Sequence, residues 1–135
     1  MAAPPRKSKV PDTPLDPEYF RFASIIWYIL VIAGLTLFYL VTFKPDSFPF
    51  EAFGLLGKRL QTVKENNQQT FEIGFTMAIL VHIAEACMAF RTCRKMNLSS
   101  SASLKWTLQT LLLGFPSFGL LLRYKTDMEV KEKLS

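Results

Sequence analysis

The sequence predicts an all-α integral membrane protein: three transmembrane helices, with a short amphipathic helix lying at the interface in the first loop. Two observations carry that prediction. Half of the 135 residues are hydrophobic, and they gather in three near-continuous blocks, residues 23–43, 70–90 and 106–122. A soluble domain this apolar would instead distribute its hydrophobic residues at helix or strand period. The second observation is where the charge falls. Charged segments separate the blocks, and the only Asp, Glu, Lys, Arg or His side chains inside them are Glu72, His82 and Glu85.

The formal net charge of +5 is spread over all the segments outside the blocks. That distribution suits anionic lipid head groups rather than a nucleic-acid surface. The expected partners are therefore the bilayer itself and other membrane proteins or a second copy, and no nucleic acid. Two cysteines, Cys87 and Cys93, make no disulfide framework.

Taken in order, residues 1–21 hold five prolines and mixed charges without an apolar period, which predicts a disordered tail. A three-span domain, residues 22–125, follows it. Its first block, 23–43, is uncharged and about 31 Å long as a helix, close to the hydrocarbon thickness. Trp27, Tyr28 and Tyr39 stand near its ends, where aromatic rings anchor a span at the interface. Residues 44–69 are polar with a semi-apolar middle. Phe50, Phe53, Leu56, Leu60 and Val63 recur at helical spacing opposite Glu51, Lys58, Arg59 and Lys64, the pattern of an interfacial helix.

The second block, 70–90, carries the chemistry. At 100° per residue, Gly74, Ala78, His82, Glu85 and Ala89 share one face. Small residues let helices approach closely, and buried polar groups then find partners there. His82 is the only histidine, and Glu85 is its neighbour three residues on. A packing pair is the first reading of the two. An acid–base pair is the second, since a carboxylate can orient a histidine and tune it. A metal site is disfavoured for want of further ligands, and no cofactor is expected.

Residues 91–105 form a basic, serine-rich loop with no acid. Asn97 opens a glycosylation sequon, and Cys93 stands among basic residues as a palmitoylation candidate. The third block, 106–122, is short, about 25 Å, and contains Pro116, so a kink is expected near Leu112. Thr107, Thr110, Gly114 and Ser117 make a second small-polar stripe on which the Gly74–Glu85 face can dock. Residues 126–135 read as a charged, solvated tail.

Several stretches resemble the transmembrane protein 254 family. They are KPDSFPF with GLLG after it, HIAEACMA around His82 and Glu85, LKWTLQTLLLGFPSF at 104–118, and Arg-Tyr-Lys at 123–125. The resemblance runs from about Phe20 to Lys125 and leaves the proline-rich tail outside. It implies a three-span membrane protein and no particular mechanism.

The functional expectation is a non-enzymatic adaptor or subunit in the endoplasmic reticulum membrane. An intramembrane lipid-modifying enzyme using His82 and Glu85 ranks second, and a small transporter subunit third. Lys131 and Lys133 look like a dilysine retrieval signal, which is read from the cytosol. Three spans would put the two ends on opposite sides, with the 91–105 loop and Asn97 lumenal. On that scheme Lys and Arg divide eight to eight, so the positive-inside rule gives no orientation.

Overall fold

A computed structural model describes residues 16–134. They form five helices: α1 (Ile25–Phe43), α2 (Gly54–Asn66), α3 (Gln68–Lys95), α4 (Ser100–Leu113) and α5 (Phe115–Leu134). Two short 3-10 turns, Pro45–Ser47 and Phe50–Phe53, lead from α1 into α2. Of the disordered tail expected for residues 1–21, residues 1–15 lie outside the described residues, as does Ser135, while residues 17–20 pack against the rest of the fold.

Two helices, α1 and α3, are long and apolar enough to cross a membrane. They contain the first two hydrophobic blocks, and at 1.5 Å per residue they measure about 28 and 42 Å. Their outward faces, including Ile25, Ile29, Leu30, Ile73, Met77 and Leu80, are exposed. Helices that turn so much aliphatic surface outward have lipid as their solvent.

The third block departs from expectation. It is not one helix with a kink near Leu112 but two helices, α4 and α5, divided at Gly114. Gly114 adopts φ 68°, a left-handed conformation that glycine reaches without a Cβ penalty. Pro116 falls in the first turn of α5, where the missing N–H costs nothing and the fixed φ starts a helix. Proline thus begins the new helix, and glycine makes the turn.

Beyond the turn, α5 folds back along α4. Thr110 and Ser117 share a hydrogen bond between their hydroxyls at 3.0 Å, and Trp106 and Leu121 are packed into one core. Tyr19 stacks on both Trp106 and Tyr124, its ring centroid 6.2 and 3.7 Å from theirs. In a straight helix Trp106 and Tyr124 would be about 27 Å apart. The residues expected as a solvated tail continue α5 to Leu134.

The base of this hairpin is closed by the segment preceding α1. Pro17 accepts a hydrogen bond from Ser99 N–H at 2.7 Å, and the Tyr19 carbonyl accepts one from Trp106 Nε1–H at 3.0 Å. Gln109 ties the rest. Its Oε1 accepts from Ala23 N–H at 3.1 Å and from the Tyr28 hydroxyl at 2.5 Å. Its Nε2 donates to the Arg21 carbonyl at 3.2 Å and to Ser117 Oγ at 3.0 Å. A buried primary amide has two acceptor and two donor positions, and here all four are used.

Between α3 and α4 the chain reverses through a Schellman motif. Asn97 N–H bonds to the Arg94 carbonyl and Leu98 N–H to the Cys93 carbonyl, with Asn97 itself at φ 57°. Ser99 then caps α4 by accepting from Ala102 N–H at 3.1 Å.

At the other end of the molecule, Val41, Phe48 and Phe50 form a small second core, with Leu60 and Phe71 packed on it. Gly57 makes the fit possible, since a Cβ there would lie 1.8 Å from the Phe50 carbonyl oxygen. That oxygen is backbone and cannot swing aside. Gly57→Ala should therefore lift α2 off this core at a cost of about 1–3 kcal/mol. Hydrogen exchange should show faster exchange over residues 50–64 and unchanged protection in α4.

Candidate functional site

The hairpin turn brings together residues that the sequence places far apart. α3 runs past the tip of the hairpin, and His82 and Glu85 lie against Gly114. A Cβ built on Gly114 would sit 2.7 Å from Glu85 Oε2 and 3.2 Å from His82 Nε2. Both polar ends therefore converge on one point, and only a glycine leaves room for them.

His82 also caps α4. Its Nδ1 lies 2.9 Å from the Leu111 carbonyl oxygen, one of the acceptors that a helix C-terminus leaves unused. A carbonyl only accepts, so Nδ1 carries the proton of that bond. In the neutral ring, Nε2 is then the lone-pair nitrogen facing Gly114. Glu85 has no hydrogen-bond or ion-pair partner among the described residues.

The remaining sequence candidates separate into distinct roles. Ala89 is fully buried against the α4–α5 core. Gly74 instead faces α1, where Phe38 Cζ would be 3.3 Å from a Cβ, and Ala78 is half-buried between these contacts. Thr110 and Ser117 face each other across the hairpin rather than α3. Thr107 donates within its own helix, to the Ser103 carbonyl at 2.7 Å. The expected docking of two small-residue stripes thus gives way to a hairpin that bonds to itself, with α3 laid across it.

Cys93 is fully buried in the core, so its sulfur cannot accept an acyl chain while the bundle is closed. Asn97 is exposed, and its local role is the left-handed helix end. Lys131 and Lys133 lie in the last turn of α5. Two tyrosines at the hairpin base, Tyr19 and Tyr124, have phenol pKa values raised by burial. No group of three metal-ligating side chains occurs among the described residues.

Gln109 is assigned no role in the sequence analysis. The signal was a long amide in an apolar helix, which demands four partners that no helix surface in lipid supplies. Away from this site, a concavity of about 300 Å³ lies among Leu37, Phe38, Phe53, Leu56 and Phe71 and is lined by apolar side chains.

Two apolar helices with outward-facing aliphatic surfaces, and polar groups turned inward at a hairpin, define an all-helical membrane protein. The chain belongs to the transmembrane protein 254 family, whose model matches residues 26–123. It is similar to "Transmembrane protein 254" of Rattus norvegicus, 30% identical over 109 residues covering 80% of this chain and 89% of that one. The Homo sapiens protein of that name is 30% identical over 108 residues, 79% of this chain and 88% of its own. The Mus musculus protein is 27% identical over 112 residues, covering 82% and 91%. No solved structure matches the chain. The matched region contains α3, the turn at Gly114 and most of the hairpin.

Proposed function

We propose that this chain is a non-enzymatic adaptor or subunit of the endoplasmic reticulum membrane. It is built as two full spans, α1 and α3, and a re-entrant hairpin, α4–α5, with both ends in the cytosol. The observation that carries the adaptor reading is how the polar groups are used. Gln109, Thr110, Ser117 and His82 all bond within the chain, while the outside of α1 and α3 presents bare aliphatic surface. Those four groups serve packing rather than turnover, and the outward surface of α1 and α3 is left to lipid or to close van der Waals packing with other helices.

The hairpin also changes the charge count. Arg21, Arg91, Arg94, Lys95, Lys105, Arg123, Lys125, Lys131 and Lys133 come to one side, against Lys44, Lys58, Arg59 and Lys64 on the other. Among the described residues the three-span scheme divides Lys and Arg five to eight and the hairpin divides them nine to four, and the positive-inside rule then favours a cytosolic hairpin base. On this reading Lys131 and Lys133 lie where a dilysine signal is read, which supports the endoplasmic reticulum address. Asn97 lies on the same side and receives no glycan. Three spans would need residues 106–122 to continue as one helix, which the break at Gly114 opposes. The apolar stripe of α2, with Leu56 71% exposed, suits a lumenal interfacial helix.

The test is capture of the tagged chain from digitonin extracts, with wild type and a His82→Gln/Glu85→Gln variant compared. An adaptor returns one integral membrane protein in near-equal molar amount in both. If the chain elutes alone, and the variant abolishes a lipid conversion in microsomes, the enzymatic reading replaces this one.

A further inference from the structure

Three features of the hairpin turn have no role in packing. Glu85 lacks a partner among the described residues, His82 Nε2 faces the same point, and the rim beside them is open. Leu111 is 43% exposed and Phe115 69%, so the site opens sideways rather than into water. Its depth is fixed twice over. Gly114 lies nine residues from Lys105 and from Arg123, and His82 lies nine from Arg91. Each route gives about 13 Å from the charged base, close to the middle of a hydrocarbon layer roughly 30 Å thick.

An ionisable side chain at that depth is costly unless something satisfies it. The described residues supply nothing for Glu85, and the partner inferred here comes from the surrounding lipid. We propose that Glu85 and His82 Nε2, beside Gly114, bind the hydroxyl group of a neutral membrane lipid. A hydroxyl both donates and accepts. It therefore fits whether the carboxyl is ionised, when the hydroxyl donates to it, or protonated, when the carboxyl donates to the hydroxyl and the hydroxyl to Nε2. Charged and zwitterionic head groups are excluded by the same desolvation cost that burdens Glu85. A neutral lipid carries a small polar group that can visit the middle of the bilayer, with an apolar body to lie against Leu111 and Phe115. Sterols and diacylglycerols both offer this chemistry. The binding goes beyond the adaptor reading and stands or falls without it.

The experiment uses the full chain in nanodiscs of dioleoylphosphatidylcholine, carrying a diazirine-bearing cholesterol in one arm and a diazirine-bearing dioleoylglycerol in another. A diazirine-bearing phosphatidylcholine is the control. After irradiation, adducts from at least one neutral probe are expected to concentrate on residues 78–86 and 111–115. The matching unlabelled lipid should compete in the wild type, and that arm identifies the source. Glu85→Ala should lower this labelling about tenfold, the loss of one hydrogen bond to a charged or strongly polar group. Glu85→Gln, which keeps a hydrogen-bonding end, should retain more of it. Tryptophan emission and gel filtration check that each variant is folded, and the competition arm needs no variant. If both neutral probes label as evenly as the phosphatidylcholine probe and are not competed, the proposal is overturned. The same holds if folded Glu85→Ala labels like wild type, for instance because water or a helix of another protein satisfies the carboxyl.

Discussion

Replacing Gln109 with Leu should cost the fold about 2–4 kcal/mol. The side chain is 5% exposed and bonds to Ala23, Tyr28, Arg21 and Ser117. Leucine fills the space and satisfies none of them. Ser117 keeps its bond to Thr110, but the Ala23 N–H, the Arg21 carbonyl and the Tyr28 hydroxyl are stranded. The Ala23 N–H is buried, and stranding it costs about 1–3 kcal/mol; the Tyr28 and Arg21 bonds are part-buried and add less, since side-chain bonds inside membranes average below that range. Gln109→Glu should fall between, because a carboxylate accepts from Ala23 and Tyr28 but donates to nothing. Unfolding by steric trapping in bicelles gives the three values in order. Leucine within about 0.5 kcal/mol of wild type would mean that the aromatic stack of Tyr19 alone holds the segment.

Gly114→Ala is the second large effect expected. The positive φ of 68° costs a residue with a Cβ about 1–3 kcal/mol. The methyl group would also meet Glu85 Oε2 at 2.7 Å and His82 Nε2 at 3.2 Å. The Glu85 carboxylate must swing aside, and the His82 ring must give by a few tenths of an ångström. Backbone strain and crowding can be separated by a double-mutant cycle with Glu85→Ala. Removing the carboxylate should recover the crowding part of the loss and leave the backbone part untouched. Equal losses with and without Glu85 would show that the two residues do not touch in the membrane.

Much of the architecture is legible in the sequence, and the reasons it stops are specific. Blocks 23–43 and 70–90 become α1 and α3 because an uninterrupted apolar run has one solution in lipid, a helix. The sharing of one face by His82 and Glu85 follows from spacing alone. The third block misleads because Gly114 and Pro116 read separately as a packing residue and a kink. Two residues apart, they make a turn: glycine leaves the right-handed region, and proline restarts the helix. The block's length of only 17 residues, and its even split of basic residues when counted as a span, were both signs of this. Partners are a different matter. Periodicity says which face His82 occupies, but only the packing of α4 on α3 brings the Leu111 carbonyl to it, and the helix end at Gly114 leaves that carbonyl unused. Nothing local indicates that Gln109 would reach residues 21–28, because that contact depends on which helices become neighbours.

The central claim is that the third hydrophobic block enters the membrane and returns. Single cysteines placed at 20, 65, 101 and 130, in a chain lacking Cys87 and Cys93, can be probed with an impermeant maleimide in sealed microsomes whose cytosolic face is outward. A hairpin predicts labelling at 20, 101 and 130 without detergent, and at 65 only after the membrane is opened. Protection of 130 alongside labelling of 101 would contradict it, since the two ends of the block would then lie on opposite sides.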